Sequence, residues 1–356
     1  MSIDNRKNDH IDICLEKAVR TTRDHWDDVH LVHQAVPSSD LDEVDLGISF
    51  LEKKLAAPLI ISAMTGGSRK ALEYNRMLAR AASEFQIGFG VGSQRSGLER
   101  SEFRESYSLV KEYDIPLVLA NLGAPQFSRR PGGQDPQYSI EEALKAIDMV
   151  NGDAICIHLN YLQEVVQPEG ETNASGLIDN LSRISTEVKV IAKETGAGIS
   201  RDAALLLKEA GVAGIDVGGA SGTSFAAVES YREGGGDGPG RASRMGRTYW
   251  DWGIPTPASV KLARVGLPLI ATGGLRNGQD VVKAISVGAD IGGMAWPLLV
   301  AASRGYRELE IEIAHIMDEI RAGLFLTGCR SVSGVSKPKH VITGWTREYI
   351  DSIALL

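Results

Sequence analysis

Eight short apolar segments recur along the 356-residue chain and constrain its fold more than any other feature. Each is rich in β-branched residues, and the stretches between them carry helical periodicity. The segments span residues 59–64, 87–92, 116–123, 154–160, 188–194, 214–219, 267–274 and 289–296. Near-continuous apolarity is typical of parallel strands that are covered on both faces. Eight strand–helix units in succession predict an α/β fold of the TIM (β/α)8 barrel type, since a doubly wound sheet would not need eight.

Helix signals lie between these segments. Ser139 and Glu142 have the spacing of a capping box, and they open an amphipathic run that continues to Val150. Residues 200–210 and 305–326 are also predicted to be helical. The alternation of strand and helix signals therefore extends along most of the chain.

The first and last strands define the expected domain organisation. We expect a barrel over residues 59–330, preceded by an N-terminal extension over 1–58 and followed by a tail over 331–356 that packs on the barrel. The glycine-rich segment 234–240 is predicted to be either a lid or a solvated linker.

Composition excludes several classes of function. The net charge of −8, from 38 basic and 46 acidic residues, gives no electrostatic footprint for nucleic acid. Cys14, Cys156 and Cys329 show neither paired nor metal-type spacing, which favours a reducing compartment. The N-terminus has no apolar signal region, and no run approaches the ~20 apolar residues of a membrane span. We therefore expect a cytoplasmic protein without a nucleic-acid or membrane partner.

The carboxyl ends of the predicted strands are rich in polar residues and glycine, and in a barrel these ends form the active-site face. Residues 272–274 and 292–296 follow the seventh strand and surround the eighth, where barrels bind phosphate through glycine N–H groups. The alternative is that these glycines only make tight βα turns. Lys193 ends an apolar strand and needs either an electron-rich ligand, such as a flavin edge, or a carboxylate such as Glu194.

A second polar cluster follows the fourth strand. His158, Asn160, Gln163 and Glu164 bring a proton-transfer group, two amides and a carboxylate within seven residues. Mg²⁺ uses one or two carboxylates together with phosphate oxygens and waters, so this cluster can orient a substrate and hold a cation. The alternative is a hydrogen-bonded structural histidine beside a surface glutamate.

The basic pair at the N-terminus has two interpretations. Arg6 and Lys7 lie where a chain is normally frayed and solvated. Alternatively, this segment folds over the barrel mouth and clamps a diphosphate.

Taken in order, the motifs of the chain resemble those of the type 2 isopentenyl diphosphate isomerases. The matching segments are RKNDH at 6–10, SAMTGG at 62–67, GSQR at 92–95, ANLG at 120–123, HLNYLQE at 158–164, PEGE at 168–171, KETGAGIS at 193–200, GTSFAAVE at 222–229, WGIPT at 252–256 and TGGLRNGQD at 272–280. The resemblance covers nearly the whole chain. It implies an FMN-containing barrel that requires Mg²⁺ and a flavin reduced by NADPH, and that interconverts isopentenyl and dimethylallyl diphosphate without net redox change.

The resemblance also implies roles for individual residues. Expected FMN contacts are Ser62, Ala63, Met64, Thr65, Ser93, Asn121, Lys193, Gly218, Thr223, Gly273, Gly274, Leu275, Ala295 and Trp296. Expected substrate contacts are Arg6, Lys7, His10, Ser93, Arg95, His158, Asn160 and Gln163, so the N-terminal extension contributes to the substrate site. Expected catalytic residues are His158, Gln163 and Glu229, and the expected Mg²⁺ ligand is Glu164. We also expect a homo-oligomer, a tetramer or an octamer.

One departure and two rival functions follow. The family often has serine where this chain has Gly218, so a flavin contact is either lost or made by the backbone. The first rival is an FMN-dependent barrel oxidoreductase of the 2-hydroxy-acid oxidase type, which would show net redox turnover. The second is a non-catalytic flavin or isoprenoid-diphosphate binding protein.

Overall fold

The predicted barrel is present. A computed structural model describes residues 3–232, 238–333 and 337–353, with the backbone alone for residues 3–6. The strands are β1 (Val29–Leu31), β2 (Ile48–Phe50), β3 (Lys53–Leu55), β4 (Leu59–Ile61), β5 (Gly88–Gly90), β6 (Leu117–Gly123), β7 (Ala154–Leu159), β8 (Val190–Glu194), β9 (Gly214–Asp216), β10 (Leu269–Ala271), β11 (Ile291–Met294) and β12 (His340–Ile342). Strands β4 to β11 are parallel and pair in chain order, and β11 closes the barrel against β4. The TIM-barrel prediction is confirmed.

Helices surround the barrel and join its strands. They are α1 (Ile3–Glu16), α2 (Arg69–Glu84), α3 (Arg95–Glu99), α4 (Glu105–Ser108), α5 (Ala124–Phe127), α6 (Ile140–Val150), α7 (Tyr161–Val166), α8 (Leu177–Ser185), α9 (Arg201–Glu209), α10 (Phe225–Arg232), α11 (Arg241–Thr248), α12 (Thr256–Leu262), α13 (Gly278–Val287), α14 (Trp296–Arg304), α15 (Tyr306–Leu326) and α16 (Gly344–Ile353). Short 3₁₀ turns span His25–Asp28, Leu41–Glu43, Ser101–Phe103, Leu109–Glu112 and Pro131–Gly133. Within the described residues, no helix is long and apolar enough to cross a membrane.

Local sequence signals account for the helix boundaries. At the start of α6 the Ser139 hydroxyl accepts from Glu141 N–H, and the Glu142 carboxylate accepts from Ser139 N–H at 2.9 Å. Asn151 ends this helix in the left-handed region, with φ 52°. The predicted capping box is therefore present, and it fixes the helix between β6 and β7.

The predicted strands extend too far at their carboxyl ends. Residues 62–64, 217–219 and 272–274 leave the sheet and turn towards the mouth of the barrel. The strand residues that remain are buried on both faces, which explains the near-continuous apolarity of the sequence. The ends that leave the sheet are the segments that build the site.

The chain ends add structure that the sequence analysis did not predict. Strands β2 and β3 form an antiparallel hairpin just before the barrel. Strand β1 pairs antiparallel with β12, so the N-terminal extension and the C-terminal tail share a two-stranded sheet. Helix α16 contacts α12 on the outside of the barrel.

Candidate active site

A cavity of about 320 Å³ opens at the carboxyl ends of the barrel strands. All eight strands contribute to its wall, and α1 covers part of its mouth. The predicted site residues that line the cavity are Lys7, His10, Ser62, Ala63, Met64, Thr65, Ser93, Arg95, Asn121, His158, Asn160, Gln163, Glu164, Lys193, Gly218, Thr223, Gly273, Gly274, Leu275, Ala295 and Trp296. The structure therefore brings together motifs that are nearly 300 residues apart in the chain.

One half of the cavity, the late half, lies at the carboxyl ends of β8 to β10 and consists of Lys193, Asp216, Thr272, Gly273 and Gly274. Lys193 Nζ donates to Asp216 Oδ2 at 2.6 Å and to Thr272 Oγ1 at 3.2 Å. All three side chains are buried. The carboxylate partner that the sequence left open is thus Asp216 on the neighbouring strand. Because an ammonium has three donors, one remains for a group in the cavity.

The glycines of the late half make tight turns and also expose the backbone. Gly273 and Gly274 have φ values of 103° and 86°, and a Cβ on either would lie within 2.4 Å of a carbonyl oxygen of the neighbouring loop. Both glycines line the cavity. The two interpretations of this motif are therefore compatible, since the turn leaves bare backbone where a phosphate can approach.

Gly218 departs from the family pattern for a visible reason. Its φ is 47°, and a Cβ at this position would lie 1.9 Å from the Glu194 carbonyl oxygen. A serine does not fit this backbone. Any contact of Gly218 with a ligand is therefore made by its main chain.

A neutral histidine lies between the two halves. Asn121 Nδ2 donates to the Val91 carbonyl at 2.9 Å, which directs Asn121 Oδ1 towards His158 Nδ1 at 2.7 Å. This assigns the Nδ1–H tautomer to His158 and leaves Nε2 as an acceptor. Burial, together with the charges of Lys193 and Lys7, lowers the pKa of His158 to about 4. His158 is therefore uncharged near neutral pH.

The other half of the cavity, the early half, consists of Arg95, Asn160, Gln163 and Glu164, which follow β5 and β7. Asn160 Nδ2 donates to Glu164 Oε1 at 2.7 Å, while Asn160 Oδ1 is buried without a hydrogen bond among the described residues. Burial raises the pKa of Glu164, although N–H donors, including Glu171 N at 2.7 Å, oppose this shift. A cation bound here would give Asn160 Oδ1 a partner and would lower the pKa of Glu164.

Glu229, predicted as catalytic, does not line the cavity. It is 1% exposed and lies behind Gln163, whose Nε2 donates to Glu229 Oε1 at 2.7 Å. His10 Nε2 lies 3.0 Å from the same carboxylate and Arg232 Nε lies 3.2 Å from it. Although burial acts to raise it, the pKa of Glu229 is lowered by His10, Arg232 and Gln163. Glu229 is therefore placed to position Gln163.

Helix α1 lies over the mouth of the cavity, so of the two interpretations of this segment the frayed terminus does not describe Lys7 and His10. Lys7 Nζ donates to the Ser93 carbonyl at 2.9 Å and to the Tyr107 hydroxyl at 2.6 Å. Arg95 contributes a second cation and pairs with Glu99 at 2.9 Å and Glu171 at 2.7 Å. The side chain of Arg6 lies outside the described residues, as do residues 234–237 of the segment predicted to be a lid or a linker.

Several lining residues were missed from the sequence. They include Arg20, Gln126, Gln167 and Arg276. Arg276 lies within a quoted motif and could have been named from it, but Arg20 lies in a segment without periodicity. Among the side chains that the structure describes, no three His, Cys, Asp or Glu residues cluster as a metal site, so a cation would need substrate oxygens in addition to Glu164.

Comparison with other proteins was informative at the level of family. The profile of the FMN-dependent dehydrogenase family matches residues 101–342. A protein of Archaeoglobus fulgidus named isopentenyl-diphosphate delta-isomerase is 43% identical over 354 residues, which cover 99% of each chain. A protein of the same name from Methanosarcina mazei is 42% identical and covers 97% of this chain and 94% of its own.

Solved structures show the same fold at lower identity. A mandelate oxidase variant with an FMN monooxide adduct superposes with a TM-score of 0.59 and 18% identity over 90% of each chain. A second variant, with 2-hydroxy-phenylacetamide, gives a TM-score of 0.62 and 17% identity over 95% of each chain. These oxidases share the barrel architecture only. The identity to the isomerases extends over nearly the full length, and the chain therefore belongs to the isopentenyl-diphosphate delta-isomerase family, an enzyme family built on the FMN-dependent dehydrogenase barrel.

Proposed function

We propose that this cavity interconverts isopentenyl diphosphate and dimethylallyl diphosphate, with FMN in the late half and a Mg²⁺-bound diphosphate in the early half. One observation carries the proposal. A buried cation with bare glycine backbone and a carboxylate–amide cluster with surface cations face the same cavity from different strands. The first set suits a flavin with its phosphate, and the second suits a diphosphate with a hard cation.

The late half fits FMN by its chemistry. Lys193 Nζ would meet the electron-rich edge of the flavin ring, and the backbone at Gly273 and Gly274 would meet the phosphate. The residues proposed to hold FMN are Ser62, Ala63, Met64, Thr65, Ser93, Asn121, Lys193, Gly218, Thr223, Gly273, Gly274, Leu275, Ala295 and Trp296. In its reduced form, FMN would supply the acid–base group that a double-bond shift requires.

The early half would bind and orient the substrate. Glu164 would hold Mg²⁺, and the buried Asn160 Oδ1 offers a further oxygen at the same cluster. Lys7 and Arg95 would bind the diphosphate, together with Arg6, His10, Ser93 and Gln163. Lys7 and Arg95 would exchange part of their present hydrogen bonding for phosphate oxygens, which are strong charge-assisted acceptors.

Two side chains, His158 and Gln163, would serve proton transfer at the substrate. His158 Nε2 can accept a proton once a diphosphate brings negative charge, because a nearby anion favours the imidazolium. Gln163 is oriented by Glu229, which fixes the direction of its amide. Helix α1 would exclude water above the alkene, which protects a cation-like species from hydration.

We further propose NADPH as the reductant, a cytoplasmic location and a tetrameric or octameric assembly. These proposals rest on the resemblance to the isomerase family. Ultracentrifugation would test the assembly, and NADPH-dependent bleaching of the bound flavin under anaerobic conditions would test the reductant.

The function is tested by incubating the protein with isopentenyl diphosphate, FMN, NADPH and Mg²⁺ and analysing the products. We expect dimethylallyl diphosphate, and none when FMN is omitted. A parallel assay with a 2-hydroxy acid and an electron acceptor tests the rival oxidoreductase. Turnover of the hydroxy acid without isomer formation would contradict the proposal and favour the rival.

A further inference from the structure

Residues 17–24, which we name the strap, follow α1 and cross the mouth of the cavity. The strap is fixed to the barrel by main-chain hydrogen bonds, from Thr21 N to the Gly222 carbonyl at 2.9 Å and from Ser224 N to the Val19 carbonyl at 2.7 Å. Its far end is held by Asp251, which accepts from Thr22 N at 2.7 Å. The strap therefore has a defined position over the loop that follows β9.

Arg20 is the cation of the strap that faces the cavity. Its side chain lines the cavity, and its guanidinium carbon lies 5.4 Å from the ring centroid of Trp296. The Arg20 carbonyl accepts from Trp250 Nε1 at 2.9 Å, and Arg20 forms a β-bridge with Thr223. The backbone is thus fixed on both sides of this residue, which directs the side chain over the ends of β9 to β11.

The charge of Arg20 is poorly compensated. Its ion pair with Asp24 is 3.4 Å long, whereas Arg276 approaches the same carboxylate at 2.8 Å. Burial raises the pKa of Asp24, so this carboxylate is a weak counter-charge for two cations. A guanidinium that lines a cavity and shares its carboxylate partner with a second, closer cation is suited to bind a dianionic group bidentately.

We propose that Arg20 binds the FMN phosphate from above, opposite the glycine backbone of the late half. This inference rests on the proposed binding of FMN. The ends of β9 to β11 are the place where Gly273, Gly274 and Trp296 line the cavity, and Arg20 is the strap residue that reaches them. The N-terminal extension thereby contributes to cofactor retention as well as to the substrate site.

The test compares FMN with riboflavin, which lacks the phosphate. The dissociation constants of both flavins are measured by fluorescence quenching on the flavin-free full chain, for the parent, Arg20→Ala, Arg20→Lys and Arg23→Ala. Arg23 is exposed in the same strap and does not line the cavity, so its loss controls for net charge. We expect Arg20→Ala to weaken FMN binding by about 10- to 100-fold and riboflavin binding by less than about twofold. Arg20→Lys should weaken FMN binding less than Arg20→Ala does, and Arg23→Ala should bind both flavins as the parent does.

The outcomes separate this inference from the proposed function. If the parent does not bind FMN at all, the proposed function fails and the inference falls with it. If the parent binds FMN and Arg20→Ala binds it equally well, the inference alone is overturned. Equal weakening of FMN and riboflavin would also overturn it, because the loss would then not depend on the phosphate. A raised substrate KM with unchanged FMN affinity would assign Arg20 to the substrate instead.

Discussion

The two halves of the cavity solve the problem of buried charge in different ways. In the late half, Lys193 and Asp216 neutralise each other within the protein, and both are almost fully buried. In the early half, Arg95 keeps about a third of its side chain exposed, and the carboxyl group of Glu164 has a raised pKa because burial is incompletely compensated. The charges of the late half are balanced without a ligand, whereas the early half gains from one.

This difference indicates which half should hold a tightly bound cofactor and which half should bind a substrate that exchanges. A preorganised, internally neutral wall binds a cofactor without rearrangement. The early half has an amide oxygen without a hydrogen bond among the described residues, on Asn160, and a carboxyl group whose pKa is raised by burial, on Glu164. Such a wall favours a ligand that brings its own cation and anion.

The largest expected effect is on stability, from Lys193→Met. Removing the ammonium leaves the Asp216 carboxylate buried without a partner, which should lower the free energy of unfolding by about 3–5 kcal/mol. Urea unfolding measures this loss. The double variant Lys193→Met, Asp216→Asn carries no unpaired charge and should recover most of it. In the early half, Arg95→Met should lower the free energy of unfolding by about 1 kcal/mol or less. Equal losses in both halves would remove the contrast.

The next effect is on substrate affinity, from Arg95→Ala. Loss of a charge-assisted contact of about 1.5–3 kcal/mol should raise the KM for isopentenyl diphosphate by roughly 10- to 150-fold. FMN affinity should stay the same, because Arg95 belongs to the early half. Arg100→Ala is the matched control, since Arg100 is exposed on the same side and does not line the cavity. Weaker FMN binding in Arg95→Ala alone would contradict the division between the halves.

A third effect concerns the cation. Glu164→Gln removes the anionic oxygen and should raise the Mg²⁺ concentration for half-maximal activity about tenfold or more, with FMN retained. Because burial raises the pKa of Glu164, protons should compete with Mg²⁺, and the parent should need more Mg²⁺ as the pH falls. Titrations of activity against Mg²⁺ at several pH values measure both the Mg²⁺ requirement and its pH dependence. Glu169→Gln, outside the cavity wall, should behave as the parent does. An unchanged Mg²⁺ response in Glu164→Gln would make Glu164 a structural carboxylate.

The smallest effect lies between the halves, at His158. Since its pKa is lowered to about 4, the imidazole should stay neutral from pH 6 to 8, with the proton on Nδ1. Nitrogen NMR of the ring should show no titration in this range before substrate is added. Substrate should shift the titration upwards, because the diphosphate adds negative charge. Titration near pH 6.5 in the substrate-free protein would contradict the lowered pKa of His158.

The sequence predicted the middle of each barrel strand because these residues are buried on both faces and therefore apolar. It did not predict where the strands end, since residues such as Ser62 and Thr272 leave the sheet to line a cavity that only the closed barrel creates. A carboxylate was one of the two partners considered for Lys193, the other being an electron-rich ligand. Naming Asp216 requires the register of β8 against β9.

Two site residues show a further limit. Glu229 lies in a matching motif, but its place behind Gln163 depends on how α10 packs on α7. Arg20 gives no signal in the sequence, because the strap owes its position to hydrogen bonds with the loop after β9. Residue types and spacing can therefore predict where an active site lies. Long-range contacts determine which side chains line it.

We infer that the cation and the diphosphate bind in the early half, while the FMN phosphate binds in the late half. Replacing Mg²⁺ with Mn²⁺ in the complex with FMN and isopentenyl diphosphate, and recording phosphorus NMR relaxation, tests this claim directly. We predict strong paramagnetic broadening of both diphosphate signals and a much weaker effect on the FMN phosphate. Equal broadening of all three signals, or stronger broadening of the FMN phosphate, would place the cation in the late half and contradict the account.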